Sequence, residues 1–236
     1  MDYYQQWLQE EKDWIGAYQK KIIRMSILQV IPGTLIGLAA LFGLLGVAGG
    51  NNFLEGAGAG LMLGILVTAF YLLILIPSLS PKRYVRKVKS AVKQLKMEEA
   101  EKQRLAREMI KATTDKERCI SYAINGHGSK QTPARFRITP HYVLLEGSYP
   151  YAILVRLSDI AQVLADEETK THTHYGTQIK RYEIFTLHTI LFYKNPRMSP
   201  YESADYGMGF FDANIRNRCY ELILRQIREN EGNGND

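Results

Sequence analysis

Two stretches decide the fold: residues 25–48, MSILQVIPGTLIGLAALFGLLGVA, and residues 56–79, GAGAGLMLGILVTAFYLLILIPSL. Neither contains Asp, Glu, Lys or Arg, and Glu55 is the single charge between Arg24 and Lys82. At about 1.5 Å per helical residue, roughly 20 apolar residues cross the hydrocarbon core of a bilayer. Each stretch is 24 residues long, and the polar run GGNNFLE at 49–55 joins them. The pattern predicts a transmembrane helical hairpin over 22–80. Two buried core helices are the alternative, but the rest of the chain is too small to wrap them. Asp2, Glu10, Glu11 and Asp13 before the first stretch do not suit a secretory signal.

The flanks set the expected orientation. Lys20, Lys21 and Arg24 precede the hairpin, Lys82, Arg83, Arg86 and Lys87 follow it, and the connecting turn has no Lys or Arg. The positive-inside rule then puts both termini on the cytoplasmic side of the plasma membrane. Cys119 and Cys219, the two cysteines, are expected there as free thiols serving as small core residues. Gly33 and Gly37, and Gly56, Gly60 and Gly64, recur at four-residue spacing, which lets helix backbones approach closely in lipid. They serve either packing of the two spans on each other or a homo-oligomer or other membrane partner. Pro32 predicts a kink, and the lack of ionisable groups inside the spans argues against an ion pathway.

The 236 residues carry a net charge of +6, from 30 Lys+Arg and 24 Asp+Glu. The mean hydropathy of −0.21 is that of a soluble protein, and the average conceals the partition. Residues 1–81 sum to −1, residues 82–118 to +7 and residues 119–236 to zero. The excess sits in a stretch predicted helical from 81 to 112, with Lys82, Arg83, Arg86, Lys87, Lys89, Lys93 and Lys96 and no acid before Glu98. A basic run next to a span is drawn to anionic headgroups, at about 1 kcal/mol per charge near the surface. It is equally a topology signal on a solvated helix. Nucleic acid is a poor fit, since Tyr84 is the run's one aromatic residue.

Before the hairpin, Tyr3, Tyr4, Trp7, Leu8, Trp14, Ile15 and Tyr18 share one helical face, opposite Gln5, Glu10, Lys12 and Asp13. This predicts an amphipathic helix over 1–21, with Trp7 and Trp14 as anchors at the membrane interface. The competing reading packs the stripe against the cytoplasmic domain or a partner.

From about residue 118 the periodicity changes to two. Strands are expected at 119–125, 134–139, 142–147, 152–157, 160–169, 179–193 and 206–211, rich in Ile, Val, Tyr, Phe and Thr and separated by turn residues. A helix follows, with Asp212 as N-cap and Ile215, Cys219, Leu222, Ile223 and Ile227 on one face. The tail ENEGNGND, 229–236, is polar enough to be expected disordered.

Seven short strands and one amphipathic helix resemble the pleckstrin-homology-like (PH-like) superfold, a bent β-barrel capped by a C-terminal helix, here over 118–228. FRITPHYVL at 136–144 is similar to the strand–turn–strand start of bacterial PH-like and GRAM-like domains, and LSDIAQV at 157–163 is similar to their Ser-Asp corner. Two N-terminal spans followed by such a domain also resemble bacterial membrane proteins of that type. The fold class implied is a membrane α-helical hairpin plus a cytoplasmic α+β domain. Lipid-reading relatives carry a basic cluster in the first strand–loop–strand; this chain has Lys130, Arg135 and Arg137 there. A fold resemblance supplies no function by itself.

Sites for chemistry are few. His172 and His174, at i and i+2 of an extended segment, could join His188 on zinc, although two exposed histidines at a hairpin end are the commoner situation. GHGSK at 126–130 lacks the spacing of a phosphate loop, and no serine sits in a nucleophile elbow. No catalytic residue, metal or cofactor is expected. The expected function is a non-enzymatic scaffold whose domain holds a protein partner at the membrane. Strand addition, the groove beside the C-terminal helix, or the 195–209 loop with Tyr201 and Tyr206 would offer the contact surface. The alternative is an anionic-lipid sensor using the basic stretch and the domain.

Overall fold

The structure is a computed structural model and describes residues 2–78, 80–125, 131–147, 151–175, 180–199 and 202–233. The chain divides into two compact units, residues 10–85 and residues 1–9 with 86–236.

Helix α1 (Tyr3–Met25) runs through a π turn (Ser26–Val30) into α2 (Ile31–Ala48) without a break. The π turn lies immediately before Pro32, whose ring crowds the preceding turn and whose missing N–H leaves a carbonyl without its helical donor. The kink expected at Pro32 is thus a local widening of the helix. Helix α3 (Phe53–Ser78) returns. Both apolar helices are long and apolar enough to cross a membrane. The turn between them is closed by Gly50 at φ +81, a left-handed position that favours glycine, with Asn51 N–H donating to Gly46 O at 2.9 Å. Asn52 then accepts from Leu54 N at 3.1 Å and starts α3.

The helical stretch expected over 81–112 is two helices, α4 (Pro81–Gln94) and α5 (Glu99–Thr114). Lys96 takes a left-handed φ of +49 between them and Met97 is buried. The apolar stripe of α4 goes out of phase beyond Leu95, and the break lets each helix bury its own face.

In the unit formed by residues 1–9 and 86–236, β1 (Cys119–Asn125), β2 (Gln131–Ile138), β3 (Tyr142–Gly147) and β4 (Tyr151–Arg156) form an antiparallel four-stranded meander. A 3-10 turn, Leu157–Asp159, leads to a second antiparallel sheet of β5 (Gln162–Tyr175), β6 (Lys180–Tyr193) and β7 (Tyr206–Phe210). No ladder joins the two sheets among the described residues. Helix α6 (Ala213–Asn233) is started by Asp212, whose Oδ1 accepts from Asn214 N at 2.7 Å. It continues through residues 229–233, which the polar tail had not suggested. There Gln226 donates to Asn230 Oδ1 at 3.0 Å, and Asn230 donates to Pro140 O at 2.6 Å.

The four-stranded sheet is covered on both faces. Phe136, Val143, Leu145 and Val155 join Ile190, Phe192, Met208, Phe210, Cys219 and Ile223 in one core. On the opposite face, Arg135, Arg137, Tyr142, Leu144 and Glu146 are buried beneath α5, whose Leu105 and Met109 are fully buried too. Helix α5 therefore packs on this sheet, within the same compact unit of residues 1–9 and 86–236.

Candidate functional site

The seven cations expected to meet lipid, Lys82, Arg83, Arg86, Lys87, Lys89, Lys93 and Lys96, are all exposed. None has an ion pair among the described residues. Six of them fall on one arc of α4 at 100° per residue, and Tyr84, Val88, Ala91 and Val92 are buried on the other.

Arg135 and Arg137 of β2 are buried side by side. They alternate on β2, one residue apart, so both leave the same face. Arg135 Nε donates to Glu146 Oε1 at 2.8 Å and Arg137 Nη2 to the same oxygen at 2.6 Å. Arg137 Nη1 donates to Thr113 Oγ1 of α5 at 2.8 Å, and its guanidinium lies 6.0 Å from the centre of the Trp7 ring. Trp7 is fully buried, so it anchors the N-terminal segment to the domain rather than to a lipid surface. The neighbouring contacts are of the same kind: Tyr4 N donates to Gln103 Oε1, and Arg107 lies 4.9 Å from the Tyr3 ring. Trp14, the other expected anchor, is partly buried with its ring 5.7 Å from that of Tyr84. The Tyr84 hydroxyl donates to the buried Glu11 at 3.0 Å.

A second polar cluster fastens α5 to β3 and β4. Glu101 Oε1 accepts from Tyr142 OH at 2.8 Å and pairs with Arg156 at 2.7 Å, and Arg156 also pairs with Asp159 at 3.3 Å. Burial pushes the Tyr142 phenol up, with Arg104 pulling the other way. No signal in the sequence announced this cluster, since its members are spread from 101 to 159.

Between the β2–β3 turn, the 3-10 corner and the end of α6 lies a groove of about 590 Å³. Leu157, Ile160 and Ile227 give it an apolar floor, and His141, Ser158, Asn230 and Glu231 a polar rim. This is the groove beside the C-terminal helix anticipated from sequence. The 195–209 loop is a different matter. Tyr206 begins β7, pairs with Phe192 and packs against the core beneath Lys194, while Tyr201 lies outside the described residues.

The glycines at four-residue spacing in α2 and α3 separate into two sets. A Cβ at Gly56 would collide with the carbonyl of Phe42, one at Gly60 with that of Leu38, and one at Gly64 would come within 2.9 Å of Leu35. Gly33 and Gly37 meet nothing within 4 Å. Gly56, Gly60 and Gly64 thus pack the hairpin and Gly33 and Gly37 do not, while Gly43 of α2, whose Cβ would collide with the Phe53 ring, also packs it.

The backbone register sets His188 apart from the His172 and His174 positions. Along the β5–β6 ladder His172 pairs with Glu183, His174 with Arg181 and His188 with Glu167. Five residues of strand, about 17 Å, therefore separate the His188 position from that of His172. His188 Nδ1 lies 3.0 Å from Glu167, which also accepts from Arg216 at 2.9 Å. The side chains of His172 and His174, and the GHGSK stretch with Lys130, lie outside what is described. Burial pushes the Cys219 thiol up to about 12, so at neutral pH it is protonated and inert. No family model matches this chain, and neither does any curated protein or solved structure.

Proposed function

We propose that this chain is a membrane-anchored, non-enzymatic binding protein whose PH-like domain holds a protein partner at the inner surface of the plasma membrane, with both termini cytoplasmic. One observation carries the anchoring: α2 and α3 leave large aliphatic side chains in the open, among them Ile36 at 69%, Leu44 at 65%, Leu54 at 74% and Leu73 at 70% exposure. Core helices of a soluble protein would hide these groups, and lipid accommodates them. Four strands, three strands and a helix in that order support the PH-like reading, in which the sheets form a bent barrel capped by α6. The groove floored by Leu157, Ile160 and Ile227 is the binding surface this reading favours. Purification of the tagged chain from native membranes in mild detergent should return a stoichiometric protein, and Ser158→Trp, which fills the groove from its exposed rim, should release it. Absence of any stoichiometric protein sinks the scaffold reading.

A second reading rests on α4. Its six exposed cations, and Lys96 just beyond it, have no ion pairs among the described residues and favour an anionic leaflet as partner. A spin label at the exposed Ser90 of the reconstituted chain should lose water accessibility when phosphatidylglycerol is added to phosphatidylcholine vesicles, and regain it with salt. Indifference to both excludes this reading.

A further inference from the structure

In the unit formed by residues 10–85, Lys20, Ile23, Arg24, Ile27 and Leu28 line a cleft of about 410 Å³. The spacing puts them on one helical stripe: Lys20 and Arg24 are at i and i+4, as are Ile23 and Ile27. Lys20 and Arg24 lie toward one end of the stripe with Ile23 between them, and Ile27 and Leu28 form the other end. Ile27 and Leu28 belong to the π turn. Ser26, within it, is buried with its hydroxyl 2.9 Å from that of Tyr71 on α3, while Ile27 and Leu28 remain 54% and 62% exposed. Neither Lys20 nor Arg24 has an ion pair among the described residues, and both are exposed.

We infer that this cleft binds an anionic phospholipid, with Lys20 and Arg24 holding the phosphate and an acyl chain lying along Ile27 and Leu28. The inference rests on the membrane-anchored reading. Charge complementarity selects the headgroup, since two cations with no acid lining the cleft favour a phosphate over a zwitterion. The adjoining aliphatic stripe, continuous in sequence with the exposed side chains of α2, selects a lipid over a soluble anion. The face of α4 differs in this respect. Its cations stand opposite a buried apolar face, so it offers a headgroup no neighbouring place for a chain.

The test is native mass spectrometry of the full chain in detergent with equal phosphatidylglycerol and phosphatidylcholine. A retained phosphatidylglycerol adduct is expected, weakened about 30-fold in the double variant K20Q/R24Q by loss of two charges. The charge-conserving K20R/R24K should keep it. Equal retention of both lipids, or an adduct unchanged in K20Q/R24Q, overturns the site. Alkaline carbonate extraction separates this from failure of the anchoring itself: a chain that washes off the membrane overturns the underlying reading, and one that stays leaves the adduct to decide.

Discussion

The Arg137 guanidinium stands 6.0 Å from the centre of the Trp7 ring while its Nη2 lies 2.6 Å from the Glu146 carboxylate, so an N-terminal aromatic residue closes over a buried ion pair in the sheet. Trp7 is fully buried, and its loss opens a large cavity above that pair. Trp7→Ala should cost about 3–5 kcal/mol of domain stability. Trp7→Phe, which keeps a ring over the guanidinium, should cost less than half as much. Denaturant unfolding of the purified chain reads both. Equal stability of the alanine variant and the wild type would mean that the ring is not packed there.

Glu146 is the acceptor shared by Arg135 and Arg137, and it has no exposure to solvent. Glu146→Ala leaves two guanidiniums buried without this carboxylate, a loss of about 3–5 kcal/mol. The interaction between positions should appear as non-additivity: Arg135→Met added to Glu146→Ala should cost far less than the sum of the single changes. A double-mutant cycle on unfolding free energies measures this, and strict additivity would remove the shared-acceptor account.

The strands and the hairpin were legible in the sequence because their signals are local. A charge-free run and a two-residue alternation need no knowledge of distant partners. The strand starting at residue 134 in the expectation begins at Gln131 instead, and the one ending at 169 runs to Tyr175, since paired backbone extends past the hydrophobic alternation. Lys96 illustrates what was not legible. Nothing in its side chain marks a left-handed residue, and only the need to bury both Leu95 and Leu105 breaks the helix there. The burial of Arg135 and Arg137 was not legible for the same reason: Glu146, Thr113 and Trp7, which surround them, lie 9 or more residues away. The groove was legible as a place, beside the last helix, but not by its residues, which come from three separate elements.

The two glycine sets of the hairpin should respond oppositely to bulk. Gly60 faces the Leu38 carbonyl, a backbone atom that cannot rotate away, whereas Gly37 faces open space. Gly60→Leu should destabilise the hairpin by at least about 1–3 kcal/mol through overpacking. Gly37→Leu should be close to neutral in a monomer. Thermal unfolding in detergent, scored by loss of helical circular dichroism, compares them. A sensitive Gly37 with a tolerant Gly60 would reverse the assignment of which of these two glycines lies in the helix–helix contact.

Alkaline pH offers a test of the core itself. Burial raises the Cys219 thiol from 9.0 to about 12 and the Tyr151 phenol from 10.0 to about 12. The folded chain therefore holds these protons to higher pH than the unfolded chain does. Stability is complete below pH 9 and falls between about 9 and 12, with a slope approaching about 1.4 kcal/mol per pH unit for each group. Urea midpoints should drop between pH 8 and pH 10.5 in the wild type, and Cys219→Ala should show a shallower drop, whatever its baseline stability. In the same protein, alkylation near pH 8 should spare Cys219 until denaturant is added, because the thiolate is the reactive form. A midpoint independent of pH, or native labelling of Cys219, would mean that this thiol is not in the packed core between Phe210 and Ile223.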